Sequence, residues 1–474
     1  MKKINSGINL FKLFSMFMIV VLHIIGRGGV VYNVVGARFF GAYFLQNMNF
    51  CAVNCYAITT GYLMYGKKLR ISRITELWFE ILFYSVVISA IMIPTHLELF
   101  SAKNIVFSFF PIVSGKYWYM TSYFFMYLFI PALNSFAEKA DKFIFKTVLG
   151  CIFVLSSLAY LIREDSFKLN NGYSALWLAI MYLLGAYMKK YRVGEKMKKH
   201  IALLLYVFCA AGSFFFSFYF KFVMKNFLKV NVNYLQYTSP FIILCAVFLF
   251  IFFSKLSFGE KGEKFINFIT PAALGVYLIH TNPFVFDYVI GGIADFLNKE
   301  NPVIIILGII GISLAVFIIC IVIDLLRIQL FRLIRVNALC KKLDGVFNSK
   351  KKKTIEIEEP AIEAGPVEET INIKPEDFFF RLNLFDFQQQ LRHFSSEVFA
   401  VDIEIFVFVE LTVAFYENFH RNSGERYLRP RLAQSAAKIK FFSANGHRLV
   451  FVRFFYFEQE IAARESLTQG GNDF

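Results

Sequence analysis

Long apolar runs separated by short polar segments fill the first 340 residues of the chain. Runs able to cross a hydrocarbon core about 30 Å thick fall at roughly 8–26, 44–65, 75–95, 117–135, 143–162, 172–188, 201–223, 237–254, 268–290 and 303–330. The pattern predicts an all-α fold, a polytopic membrane bundle of about ten transmembrane helices. The first run keeps Lys12 and His23 inside it and has no small-residue cleavage site before Gly26. It is therefore expected to stay in the protein as a helix rather than be removed as a signal.

The connecting segments alternate in basic content. Lys and Arg are dense at Met1–Lys3, Lys67–Arg73, Lys139–Lys146, Lys189–His200, Lys255–Lys264 and Arg327–Lys353, and sparser in between, with Lys221, Lys225 and Lys229 as the exception. By the positive-inside rule the dense segments share the cytoplasmic side, so an even number of spans with both termini cytoplasmic is expected.

Polar groups inside the apolar runs are expensive to bury and so point inward. Lys12 and His23 are eleven residues apart, which at about 100° and 1.5 Å per residue puts them on one helix face, roughly 16 Å from each other. An ionisable side chain at a helix centre costs about 2.5 kcal/mol or more, which makes both candidates for chemistry. The competing reading is a snorkelling lysine and a histidine that hydrogen-bonds a neighbouring helix. The second run carries Gln46, Asn47, Asn49, Asn54, Thr59 and Thr60, too many hydrogen-bonding groups for a lipid-facing helix.

Three further groupings stand at the ends of runs. Arg70 and Arg73 open the third, and guanidinium forks suit phosphates; they equally suit a positive-inside anchor, or pairing with Glu76 and Glu80. Tyr117-Trp118-Tyr119 opens the fourth, as a binding segment or an interfacial aromatic belt. His280-Thr281-Asn282-Pro283 lies within the ninth, where the proline frees a carbonyl that only protein or a cavity can satisfy.

Composition narrows the function classes. Of 474 residues, 57% are hydrophobic and 19% aromatic, and the mean hydropathy of +0.55 is that of a membrane protein. With 12 basic and 19 acidic residues, the chain after Lys353 has a net charge of −7, leaving +23 of the whole-chain +16 to residues 1–353. The basic excess thus belongs to the membrane part, where it serves orientation and anionic lipid, and gives no support to nucleic-acid binding. The seven cysteines contain no CxxC pair and read as small apolar residues; no metal-ligand spacing appears, nor any Walker A, HExxH or GxSxG motif.

At this point the chain resembles the acyltransferase-3 family of integral membrane acyltransferases, which modify bacterial surface polysaccharides and related glycoconjugates. Lys12 and His23 match its first motif, a basic residue and a histidine separated by ten positions, and Arg70 and Arg73 match its second. Thr60-Gly61-Tyr62-Leu63, Tyr117-Trp118-Tyr119 with Pro131 and Asn134, and Gly275-Val276-Tyr277-Leu278-Ile279-His280 follow in the family's order over residues 1 to about 340. Thr281 departs from the pattern, since an acidic residue is expected after His280.

The resemblance implies an acyl-CoA donor, usually acetyl-CoA, entering from the cytoplasm, and a hydroxyl on a polysaccharide or lipid-linked sugar as acceptor. It implies His23 and Lys12 as catalytic residues, Arg70 and Arg73 as donor-binding residues, Tyr117, Trp118, His280 and Asn282 as substrate-binding residues, and no metal. His23 would be a general base or an acyl relay, and Lys12 would orient the donor or a neighbouring carboxylate. The location implied is the bacterial cytoplasmic membrane. The competing classes are a transporter or flippase, for which no inverted halves are evident, and a membrane sensor.

Residues 341–374 turn from basic to acidic and read as a solvated linker, and 375–474 are Phe-rich without a consistent period. Asp402, Glu404 and Glu410 argue against an eleventh span at 398–415. An accessory module and appended non-native sequence both account for the change, and no functional residue is expected there.

Overall fold

A computed structural model of the chain describes residues 5–223 and 234–342, all within the unit Met1–Ala361. The linker after residue 342 and the Phe-rich segment lie outside the described residues. Within them the fold is all-α, with no strand.

Five of the described helices start at a capping side chain. α1 (Ser6–Gly26) begins at Asn5, whose side-chain oxygen accepts from the Gly7 amide at 2.8 Å. After α2 (Gly36–Asn49), α3 (Ala52–Met64), α4 (Ile71–Thr95), α5 (Ala102–Phe109), α6 (Trp118–Leu128) and α7 (Ile130–Lys139), α8 (Lys142–Ile162) is capped by Asp141 and α9 (Ala175–Lys190) by Ser174. α10 (Lys199–Phe218), α11 (Pro240–Ser254), α12 (Glu260–Ile269) and α13 (Ala273–His280) follow. α14 (Pro302–Leu333) has Asn301 as its cap and Pro302 in its first turn.

Three expected spans are broken. The second becomes α2 and α3, which part at Phe50 and Cys51; before the break the Asn47 and Asn49 amides bond back to the carbonyls of Tyr43 and Leu45, at 2.8 and 2.7 Å. The fourth becomes α6 and α7, divided at Phe129 just before Pro131. The ninth ends as α13 at His280, then turns through Asn282 into a short segment, Pro283–Val285. Among the described residues five helices are long and apolar enough to cross a membrane: α1, α4, α8, the α10 region and α14.

α1 is the hub. It packs against α2, α3, α11, α12, α13 and α14, and 67% of its apolar stretch is buried in protein, against 22–39% for the other four long helices. A helix buried on this scale can carry polar groups that lipid would reject. Polar residues of the broken second span do knit the bundle. Asn54 donates to the Tyr237 carbonyl and accepts from the Trp177 indole, and Asn47 accepts from Ser213 and Ser217. α3 and α9 meet most closely, because Gly61 and Gly185 each face the partner's backbone where a β-carbon would overlap Tyr182 or Ile58. This explains the glycine of the Thr60-Gly61-Tyr62 phrase.

The basic connecting segments gather at one end. There Asn5 reaches the Ser254 carbonyl, Lys255 the Glu195 carbonyl, Asn134 the Lys67 carbonyl, and Lys190 the carbonyls of Ala137, Glu138 and Ala140. Lysine on the last carbonyls of α7 satisfies acceptors that the helix itself leaves open. Lys12 and the arginines belong to this end of the bundle, and His23 to the opposite one.

Candidate active site

His23 sits in the last turn of α1, and α13 ends on His280. The two rings meet with Nδ1 of His23 2.9 Å from Nε2 of His280. Nδ1 of His280 is 2.6 Å from the Val276 carbonyl one turn back, and Phe286 lies edge-on to His23 at 5.1 Å between centroids. His280 is 1% exposed and His23 half-buried, so one of the two rings remains within reach of a substrate.

The hydrogen-bond chain fixes the tautomers. A carbonyl only accepts, so Nδ1 of His280 carries a hydrogen and donates to Val276. No carboxylate pairs with either ring among the described residues, and a bare charge in this setting is costly, so both imidazoles are neutral. Nε2 of His280 then holds a lone pair, Nδ1–H of His23 donates to it, and Nε2 of His23 is left as an unprotonated nitrogen. That is the arrangement a general base needs.

The other expected residues divide into those that join this end and those that do not. Tyr117 and Asn282 are both buried, and the Asn282 amide donates to the Tyr117 hydroxyl at 2.8 Å. The Asn282 oxygen caps the short turn by accepting from the Phe284 amide. These two residues hold the chain beside His280. Trp118 turns away, packing on Tyr173 at 4.6 Å and Tyr237 at 6.3 Å between centroids. Thr281 bonds back to the Tyr277 carbonyl, so the partner of His280 is His23 rather than a neighbouring acid.

Lys12 is at the other end. It is half-buried, Lys67 is the charge that acts on it, and no carboxylate pairs with it among the described residues, so the expected neighbouring acid is not found. Tyr56 donates to the Lys12 carbonyl at 2.7 Å. Arg70 is the extended residue before α4 and Arg73 lies in its first turn. Arg73 pairs with Glu76 at 3.0 Å, while Glu80 turns away from both arginines to Arg327. Lys12 and Lys67 thus face each other at this end, Arg70 and Arg73 both act on Tyr127, and Glu76 is the acid paired with Arg73.

Between the two ends runs a line of tyrosines. Tyr119, Tyr123 and Tyr127 recur every four residues on α6, with ring centroids 5.8 and 5.9 Å apart. The line begins near Arg70 and Arg73, whose charges act on Tyr127, and continues from Tyr119 to Tyr277 at 5.7 Å and on to His280 at 6.2 Å. The Tyr119 hydroxyl is buried without a hydrogen-bond partner among the described residues.

A family model described as an acyltransferase domain matches residues 5–324, two-thirds of the chain, and it takes in both histidines, both arginines and the tyrosine line. The chain belongs to the acyltransferase-3 family. No curated protein and no solved structure matches it. The protein is therefore a membrane acyltransferase, and the transport and sensor readings are set aside.

Sequence reasoning missed the pairing of His23 with His280, the tyrosine line beyond Tyr117-Trp118-Tyr119, and a buried ionic cluster of Glu80, Asp324 and Arg327. The last had a local signal, since Asp324 and Arg327 stand one turn apart inside the tenth apolar run.

Proposed function

We propose that this acyltransferase moves an acetyl or other short acyl group from acyl-CoA to a hydroxyl of a cell-surface polysaccharide or lipid-linked sugar precursor in a bacterial cytoplasmic membrane. The observation that carries the reading is the contact between His23 and His280, which leaves Nε2 of His23 free to take a proton.

In this mechanism the acceptor hydroxyl gives its proton to Nε2 of His23 as its oxygen attacks the thioester carbonyl. The new C–O bond forms, the C–S bond breaks, and the departing thiolate recovers the proton from His23. During the step the imidazolium is stabilised by its hydrogen bond to the lone pair of His280, which Val276 in turn orients. Direct attack through His23 as base needs no acyl-enzyme, whereas a relay would use the same nitrogen as nucleophile.

The donor's phosphates suit the cationic end, where no acid occupies the Arg70 fork among the described residues and Lys12 adds charge. Its pantetheine arm would follow the tyrosine line toward the histidines. Tyr119 offers that arm a buried hydroxyl in need of a partner, as an amide-bearing ligand would supply. The basic end then faces the cytoplasm, where acyl-CoA is found, and the histidine end faces the acceptor.

The test is transfer of labelled acetyl from acetyl-CoA into the glycan fraction of membranes carrying the protein. His23→Ala is expected to abolish incorporation while the protein stays inserted. Incorporation that survives His23→Ala would remove the assignment.

A further inference from the structure

Two turns beyond Arg73 on α4, Glu80 enters a buried ionic cluster with residues of α14. Arg327 grips Asp324 with two bonds, Nε to Oδ1 at 2.9 Å and Nη2 to Oδ2 at 2.8 Å, and reaches Glu80 Oε1 at 2.8 Å. Tyr84, one turn after Glu80, donates to Asp324 Oδ1 at 2.7 Å. Asp324 is wholly buried, and Phe331 covers the guanidinium at 5.0 Å. Two carboxylates thus share one guanidinium in the interior of the bundle, an arrangement that stability alone does not favour over apolar packing.

The cluster also presses on α13. The Asp324 side chain occupies the space where a β-carbon on Gly275 would lie, so α13 rests directly on it. The next residue, Val276, supplies the carbonyl that orients His280. One continuous chain of contacts therefore runs from α4, which opens with Arg70 and Arg73, through Glu80, Tyr84, Arg327 and Asp324, to Gly275, Val276, His280 and His23.

We propose that the Glu80–Arg327–Asp324–Tyr84 cluster is a positioning device for the reaction, setting the height of α13 so that His280 meets His23 and tying that height to the helix of the arginine pair. None of the four touches the reacting atoms; they act through Gly275 and Val276. This rests on the reading of His23 as the base.

Two variants test it in the full chain, assayed in membranes by release of free CoA from acetyl-CoA, with insertion and folding checked by size exclusion and thermal melting in detergent. The triple variant Glu80→Gln, Asp324→Asn, Arg327→Met removes every charge together, so that no lone charge is left buried. Gly275→Ala keeps every charge and pushes α13 off Asp324. A positioning role predicts that both lower kcat at least tenfold, with KM for acetyl-CoA within twofold of the parent, in protein that melts as one folded species. Folded variants with parental kcat would overturn the proposal. So would loss of activity only in proportion to loss of folded protein, which would leave the cluster a purely structural one. If His23→Ala itself retains activity, the underlying mechanism has failed, whatever the cluster variants do. If His23→Ala is dead and both cluster variants are normal, only this inference has failed.

Discussion

His23 and His280 are 257 positions apart in the chain and hydrogen-bonded at 2.9 Å in the fold. Because the Val276 carbonyl dictates the tautomer of His280, the proposed mechanism makes the pair a unit in which one ring reacts and the other aims it. His280→Ala is expected to lower kcat about a hundredfold, within the range for a positioned acid–base group. The double variant with His23→Ala should be no worse than His23→Ala alone, since effects within one catalytic unit are not additive. Rates of CoA release from the four proteins of this cycle measure it, and additive losses would separate the two histidines.

The cationic end makes a different prediction, because its two arginines are not equivalent. Arg73 is held by Glu76, whereas no acid pairs with Arg70 among the described residues. Hydrogen bonds to charged groups are worth about 1.5–3 kcal/mol, so Arg70→Ala should raise KM for acetyl-CoA about ten- to a hundredfold with little change in kcat. Arg70→Lys should restore only part of this, as a lysine cannot form the fork. With S-acetylpantetheine, which lacks the nucleotide phosphates, parent and variant should have the same KM.

Much of this architecture is legible in the sequence, and what escapes it has a physical reason. The lysine and histidine of the first run declare an inward face because lipid penalises both, and α1 is indeed the most buried of the long helices. The amides of the second run announce a buried helix, although their bonds to carbonyls one turn back accompany a break that hydropathy does not reveal. The alternation of basic segments reappears as one basic end. Local spacing misleads at Glu80, which follows Arg73 and Glu76 along one helix face in sequence yet goes to Arg327, where burial and a bidentate neighbour make the stronger partner. Trp118 misleads in the same way, since neighbourhood to Tyr117 says nothing of which side of α6 it takes. Contacts such as that of His23 with His280 are set by how α1 and α13 pack, and no local pattern encodes that.

Asn134 fastens the turn that presents the arginines. Its amide donates to the carbonyls of Met64 and Lys67, both at 3.0 Å, and its oxygen accepts from the Tyr182 hydroxyl at 2.8 Å. Asn134→Ala removes these bonds and leaves the buried Tyr182 hydroxyl without its acceptor, at a cost of about 1–3 kcal/mol. A lower melting temperature in detergent is expected, together with a raised KM for acetyl-CoA as the turn at Lys67–Arg70 loosens. Asn134→Asp keeps the acceptor for Tyr182 but loses both donors, so it should resemble the alanine variant. A variant that melts and binds like the parent would show the turn to be held by other contacts.

Lys116, in the segment between α5 and α6, provides a test by pH. Its ammonium donates to Ser89 at 2.9 Å and lies 4.9 Å from the centre of the Phe284 ring, and no carboxylate pairs with it among the described residues. Burial pushes its pKa down to about 8 from the ordinary value of 10.5. Between those two values the unfolded chain binds more protons at this side chain than the folded one, so its contribution to stability rises with pH across that window. Below about pH 8 both states carry the charge and the contribution is flat. Lys116→Met, which cannot titrate, should therefore lack the part of the rise in melting temperature that the parent shows between about pH 8 and 10. Thermal melts of the two detergent-solubilised proteins over that range decide the point: parallel curves would mean that Lys116 keeps its proton as freely as a lysine in water.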